Sequence, residues 1–350
     1  MRMKNKYENS YLESSGRRIL VRISDPLPLI GHIAFGIIDR GSNILQVRPF
    51  SACPFSCVFC SVDAGPLSRS RIAEFIVDLD HLIEWVMYAL RHKISKKIHI
   101  LIDGVGEPIL YPRIVDLVAR LREIERIDEI AIETRGSIRN PRLYRRLWEA
   151  GLNRINISID TLDPQKASRL TNTNWYSLDQ VLEVITEANS IGLDITLTPL
   201  WIPGVNDEDL ISLIEWVKKN IRNKRSPSIA IQKYIAHKRG RKMPGVREVG
   251  WNYFYEFLEK LEKKTGVRLI LRPEDFNIKP DMPVPKTMRT GESIRMKLYS
   301  VGWLKGEYIA YARERVVTLV SEEKLENIRD MEIIGRVIHD KDNIYIARLD

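Results

Sequence analysis

Apolar and polar positions follow one another along most of this chain in two registers. Strand-length runs, either wholly apolar or alternating, give way to longer runs with apolar residues three and four apart. Strand patterns fall at 43–47, 97–103, 129–134, 154–160, 194–200 and 229–234, and helix patterns at 78–91, 113–123, 141–150, 178–191 and 208–220. Repeated strand–helix units predict an α/β fold with a parallel sheet and right-handed crossovers. Six such units predict an open or partial (β/α)6 barrel of TIM-like type. Functional loops of such barrels lie at the carboxyl ends of the strands, so the segments that follow the predicted strands are expected at one mouth.

The two ends of the chain break this rhythm. Runs at 18–23 and 32–38 read as a strand pair covering the bottom or one edge of the barrel. Pro280, Pro283 and Pro285 mark a linker. Beyond them, short strand patterns at 294–299, 308–312, 316–320, 333–339 and 343–349 are punctuated by Gly302, Gly306 and Gly335. Five short strands in this space predict a small all-β barrel. The expected division is an N-terminal strand extension over 1–42, a core over 43–279, and a linker with a C-terminal barrel over 280–350.

Composition narrows the class. The apolar fraction of 44% is that of an ordinary globular protein. The longest apolar runs fall far short of the roughly 20 residues that span a membrane. The basic start, Met1 to Lys6, is not followed by the apolar segment of a signal peptide. A cytoplasmic protein without membrane association is expected. Abundant Lys, Arg, Glu and Ile suit a thermophile.

The chain's three cysteines all lie in one stretch, Cys53-Pro-Phe-Ser-Cys57-Val-Phe-Cys60. Three thiolates from one loop can hold three irons of a [4Fe–4S] cluster, one short of a complete four-cysteine cage, which leaves the fourth iron open. The rival is zinc, with His32, His81 or His99 as a fourth ligand, although structural zinc sites usually pair two half-sites and no second one exists here. A disulfide fits neither the odd number nor a reducing compartment.

Further segments add to this picture. Asp103-Gly104-Val105-Gly106-Glu107-Pro108 follows the strand pattern at 97–103, with glycines that admit close backbone approach. Arg154 to Asp160 reads as a strand, and Asp163-Pro164 then opens a helix. In this order and spacing, over roughly 43–235, the chain resembles the radical S-adenosylmethionine (SAM) superfamily. The resemblance implies that Cys53, Cys57 and Cys60 bind a [4Fe–4S] cluster and that SAM sits at its open iron. It implies that Gly104, Gly106, Glu107 and Pro108 form the segment holding the SAM amino group. It implies that Ser158, with Asp160 on the same strand, contacts the SAM carboxylate, as in members related to the molybdenum-cofactor cyclase. Thr134-Arg135-Gly136 is similar to the family's T-N-G loop, with Arg135 in place of the usual Asn. The segment 202–207 resembles the family's turn near the adenine. The GEP-x-LYP form of the glutamate segment also resembles the wybutosine-forming enzymes of tRNA. A reductant such as ferredoxin or flavodoxin is implied as partner. With no further cysteine, direct use of the 5′-deoxyadenosyl radical is the expected chemistry; Tyr111 and Tyr234 are candidate partners for it, and no catalytic residue is assigned.

Charge bears on the substrate. Residues 222–248 hold nine Lys and Arg against one acid, Glu248, nearly the whole net charge of +9. Lys233, His237, Lys238, Arg239, Arg241 and Lys242 are the expected phosphate contacts at the mouth. The C-terminal barrel is similar in size and position to the TRAM- or OB-type RNA-binding barrels of some tRNA-modifying family members. RNA, and tRNA in particular, is therefore one expected substrate. A phosphorylated small molecule, in cofactor or metabolite biosynthesis, is the alternative. A structural appendage is the alternative for the barrel.

Overall fold

The structure is a computed structural model that describes residues 11–13 (as backbone), 18–326, 328 and 331–349. The basic start at 1–6 lies outside them. The chain gathers into two compact units. One comprises 1–52, 69–113 and 280–350, and the other 53–68 and 114–279.

The first unit begins with β1 (Tyr11–Glu13), β2 (Ile19–Ile23), β3 (Gly36–Asp39), β4 (Ile44–Arg48), β5 (Ala73–Val77), α1 (Leu79–Leu90) and β6 (Ile98–Ile102). Asp78 caps α1 by accepting from the N–H groups of Asp80 and His81. β2 lies antiparallel to β1 and parallel to β5. β3 lies antiparallel to β4, which runs parallel to β6. The predicted pairing of 18–23 with 32–38 is therefore replaced: each run pairs with a different strand. β6 is buried at almost every position, as a strand covered on both faces must be.

The second unit holds α2 (Ile114–Arg122), β7 (Ile127–Thr134), α3 (Pro141–Glu149), β8 (Arg154–Ile157), α4 (Pro164–Thr171), α5 (Leu178–Ser190), β9 (Asp194–Leu197), β10 (Leu200–Trp201), α6 (Asp207–Asn220), β11 (Gln232–Lys233) and α7 (Trp251–Thr265). β7, β8 and β9 run parallel in that order, as the strand–helix alternation requires. Their alternation separates two faces. Ile130, Ile132, Ile155, Ile157, Ile195 and Leu197 form a buried apolar face. The opposite face is polar, with Glu133, Asn156 and Thr196 in register across the three strands. The predicted sixth strand shortens to β11, parallel to β10. α7 lies outside the predicted helices, although Phe254, Leu258 and Leu261 give it a buried stripe at helical spacing.

The first unit is completed by β12 (Ser293–Val301), β13 (Glu307–Ala312), β14 (Arg315–Val320), β15 (Glu332–His339) and β16 (Ile346–Leu349), a closed barrel in the order β12-β13-β14-β16-β15. All pairs are antiparallel except β14 with β16. Met296, Leu298, Tyr308, Leu319, Val337 and Tyr345 help fill its core. This is the small β-barrel the sequence predicts. Its outer wall differs between strands. β12 and β15 alternate between buried and exposed residues, whereas β13 and β14 are buried almost throughout. Val316 N–H donates to Ile30 O at 2.8 Å, Tyr345 N–H to Gly31 O at 3.0 Å, and Ile72 N–H to Trp303 O at 3.0 Å. A Cβ on Gly31 would lie 2.0 Å from Val316 O. In OB-type barrels the second and third strands form the nucleic-acid face, and here that face is covered. The predicted linker is held as well: Lys93 Nζ meets Asp39 at 2.6 Å and Met282 O at 3.0 Å, and Val284 N–H donates to Asp39 at 2.8 Å.

Candidate active site

The cysteine loop belongs to the second unit. Its main chain is hydrogen-bonded to the end of α4, Ser56 N–H to Thr171 O at 3.1 Å and Val58 N–H to Leu170 O at 3.0 Å. Phe55 stacks on Trp175 at 4.9 Å and meets Tyr176 edge-on. Gly65 is required by the turn that follows: its φ is +97°, and a Cβ would lie 1.5 Å from Phe55 O. Cys57 is buried while Cys53 and Cys60 are partly exposed. Burial pushes the Cys57 thiol up to about 11, against the pull of Arg135.

Arg135, the departure from the family's T-N-G loop, has a defined place. Its guanidinium pairs with Asp160 at 2.7 Å and lies over the Phe59 ring at 5.4 Å. Burial works against its charge, but Cys57 and Asp160 outweigh it and hold the group protonated. Asp160 also accepts Leu200 N–H at 2.8 Å. Asn206, fully buried, donates to Asp160 O and Leu200 O and accepts Ile202 N–H, fastening the 202–207 turn to the strand ends. Thr134 Oγ1 accepts Gly136 N–H at 3.0 Å. Ser158 lies at the end of β8, its hydroxyl 3.4 Å from that of Thr198. Asn156 Oδ1, on the polar face of β8, is buried with no hydrogen-bond partner among the described residues.

The basic run resolves into two groups. His237, Lys238, Arg239 and Lys242 are exposed. Lys233 is buried, pairs with Glu248 at 2.7 Å and lies over the Trp251 ring. Arg241 is turned into the cysteine loop, donating to Cys57 O at 2.7 Å and Asp63 at 2.6 Å. Lys233 and Arg241 are thus engaged within the chain, which corrects their reading as members of an open cationic rim. Tyr234 is buried and its hydroxyl accepts Met243 N–H, while Tyr111 is buried and donates to Val77 O. Both tyrosines are packing residues.

In the first unit, Gly104 to Pro108 follows β6. The glycines there admit the chain's own backbone: a Cβ on Gly106 would lie 2.1 Å from Ser51 O and 2.5 Å from Ala52 O, and one on Gly104 3.0 Å from Phe50 O. Glu107 N–H donates to Ala52 O at 2.9 Å. Two arginines that sequence reasoning missed hold this frame. Arg48 forms a bidentate pair with Asp103 at 2.9 and 3.0 Å. Arg71, wholly buried, donates to Ser51 O, to Val105 O and to Glu74, with Trp303 beneath its guanidinium at 4.5 Å. Apart from the neighbouring Glu74, their signal is long-range pairing, to Asp103 for Arg48 and to Ser51 and Val105 for Arg71, which no local pattern carries.

The zinc alternative finds no support. His32 stacks on Phe35, His81 bonds to Leu27 O, and His99 is buried in β6. Among the described residues no three His, Cys, Asp or Glu side chains converge as the ligands of one ion. A cubane asks for no such convergence, because each thiolate takes a different iron. Three cysteines in one fixed loop fit it in number and kind.

An α/β fold with a three-thiol loop fits the class of iron–sulfur enzymes that leave one iron open. The profile of the Radical SAM superfamily matches residues 47–217. A Methanocaldococcus jannaschii protein described only as uncharacterized is 34% identical over 351 residues, covering 95% of this chain and 81% of that protein. A GTP 3′,8-cyclase of Peptoclostridium acidaminophilum is 37% identical over 172 residues, covering 49% of this chain and 50% of the cyclase. The chain spans about half the length of the cyclases it matches. Among solved structures, Streptococcus suis SuiB bound to precursor peptide SuiA aligns with a TM-score of 0.49 at 17% identity, over 66% of this chain and 48% of SuiB. The chain belongs to the radical SAM superfamily, and it is an enzyme of that type with a [4Fe–4S] cluster and SAM as its cofactors. Among the described residues no helix is long and apolar enough to cross a membrane.

Proposed function

We propose that this enzyme abstracts hydrogen from a phosphorylated nucleotide in the cytoplasm, fed by a one-electron donor such as ferredoxin or flavodoxin. The observation that carries the radical assignment is the loop that gathers all three cysteines and is fixed on α4. Cys53, Cys57 and Cys60 would hold the cluster. Gly104, Gly106, Glu107 and Pro108 would receive the amino group of SAM, and Ser158 its carboxylate. Together the bound cofactors supply a 5′-deoxyadenosyl radical. The chain's own residues bind, orient and exclude water. Arg135, fixed by Asp160 and flanked by Thr134, places a permanent positive charge beside Cys57.

Three features support a nucleotide. The polar face of β7–β9, with the unsatisfied Asn156 Oδ1, suits a substrate rich in hydrogen-bonding groups. The exposed His237, Lys238, Arg239 and Lys242 suit a few phosphates. The cyclases similar over half of this chain are named for GTP. RNA is the second reading, favoured by Trp251, Tyr253 and Tyr255. These are 54%, 55% and 44% exposed and follow the basic loop directly. Cations beside stacking faces are how unpaired RNA is held. The covered β13–β14 face weighs against a contribution from that wall of the barrel to this reading.

The test is anaerobic incubation of reconstituted protein with SAM and dithionite, with nucleoside triphosphates or bulk tRNA added. 5′-Deoxyadenosine is expected from wild type and not from Cys57→Ala. Stimulation by a nucleotide supports the first substrate reading, and stimulation by tRNA alone, with salt-sensitive binding, replaces it with the second. No 5′-deoxyadenosine from iron-loaded wild type under any condition ends both.

A further inference from the structure

Arg241 sits in a basic run whose neighbours face solvent, yet its own contacts all go to the cysteine loop. Its main-chain N–H donates to Cys60 O at 2.8 Å. Its Nε donates to Cys57 O at 2.7 Å, one terminal nitrogen to Ala64 O at 2.6 Å, and the other to Asp63 Oδ1 at 2.6 Å. One residue therefore ties down four points between 57 and 64, from well over a hundred positions further along the chain. Gly240 lets it come this close: a Cβ there would lie 2.6 Å from Ser61 O and 2.8 Å from Cys60 O. Asp63 is held for the contact in turn, with φ at +47° and Ser68 Oγ donating to it at 3.1 Å.

The root of the Arg241 loop is fixed independently. Lys233 pairs with Glu248 at 2.7 Å, and Glu248 accepts Ala236 N–H at 3.1 Å, so the segment from 233 to 248 is closed at its base. Tyr234 receives Met243 N–H at 3.0 Å inside it. A closed loop with an arginine at its tip is a rigid prop, and such outer contacts orient the groups that ligate metal.

We propose that Arg241 is a positioning residue for the iron–sulfur cluster. Through the carbonyls of Cys57, Cys60 and Ala64 it holds the three-thiol loop in the conformation that retains the cluster, and together with Asp63 it sets the cluster's reduction potential. This deepens the radical SAM reading above and rests on it. A fixed positive charge beside a centre favours the added electron, and a carboxylate opposes it. The two members of the pair therefore act on the potential with opposite signs, which simple support of the fold does not produce.

The experiment uses full-length protein reconstituted anaerobically with iron and sulfide, as wild type, Arg241→Gln, Arg241→Lys and Asp63→Asn. Iron loss to a chelator, the spectrum and potential of the cluster, and the melting temperature of the metal-free chain are read for each. Arg241→Gln is expected to lose iron about 10- to 100-fold faster than wild type, with its potential lowered, while its metal-free chain still melts in one cooperative transition. Arg241→Lys, which keeps the charge, recovers most of the potential. Asp63→Asn raises the potential. Wild-type iron retention in Arg241→Gln, or shifts of the same sign in Arg241→Gln and Asp63→Asn, overturns the inference while the enzyme reading stands. If Arg241→Gln does not fold, Arg241→Lys and Asp63→Asn decide alone: both keeping wild-type potential and iron retention would overturn it. Wild type that takes up no iron removes the reading beneath it.

Discussion

His32 shows how one buried side chain sets a response of the fold. Its ring stacks on Phe35 at 4.6 Å, meets Phe75 edge-on at 5.5 Å, and accepts Ala34 N–H at Nδ1. Burial, with help from the Arg48 charge, lowers its pKa from 6.5 to about 3. The unfolded chain binds a proton there below pH 6.5 and the folded chain does not. The contribution to stability is therefore whole above pH 6.5 and is lost as pH falls from there toward 3. The expected slope from this group is on the order of 1.4 kcal/mol per pH unit. Denaturant midpoints between pH 6.5 and 5, where carboxylates titrate little, should show it in wild type and not in His32→Asn. At this scale the sequence exposes residues whose chemistry is local. The three cysteines stand out by their spacing, and Ser158 only through the family resemblance. Arg48, Arg71 and Arg241 do not, because, Glu74 beside Arg71 apart, their partners lie far away in the chain and their roles exist only once those partners arrive.

Elements are legible where period and length agree. The β6, β7 and β8 patterns and the α1, α3 and α5 patterns coincide with the observed elements within a few residues. β5 escapes because Ala73–Val77 is a short run interrupted by Glu74, and its partner β2 lies in the N-terminal segment. The sixth strand is shorter than its pattern: Ile229 touches Leu197 as a single bridge, and regular pairing resumes only at β11. The loop after β6 is recognisable for the wrong physical reason, since its glycines accommodate the main chain of residues 50–52. Gly106→Ala tests that account. Its Cβ would meet two carbonyl oxygens well inside contact distance, and a cost of about 1–3 kcal/mol is expected in denaturant unfolding, together with weaker SAM binding. Unchanged stability would show that the crossing can open without strain.

At the scale of the whole molecule, the C-terminal barrel is part of the first unit's core and not an added module. Ile30, Gly31 and Ile72 each share a main-chain hydrogen bond with it. Arg315, fully buried, donates to Pro285 O and to the hydroxyl of Tyr88 on α1. Removal of 286–350 is therefore expected to leave buried backbone groups and apolar surface of β2, β3 and α1 uncovered. The truncated chain should be largely insoluble, or should melt well below the full chain, whether or not RNA is a substrate. A soluble truncation with the wild-type melting temperature would return the barrel to the status of an independent domain.

The first unit is assembled from three separated stretches of chain, and this has a consequence for synthesis. Residues 1–52 leave the ribosome long before 280–350 are made. At ordinary elongation rates the delay is roughly 10–45 s. During that interval β2, β3 and β4 have no barrel to pack against, while the residues of the second unit are still being made. The nascent protein thus holds one half-built core in waiting, and a translation stall before residue 280 would release a chain that no later event can close.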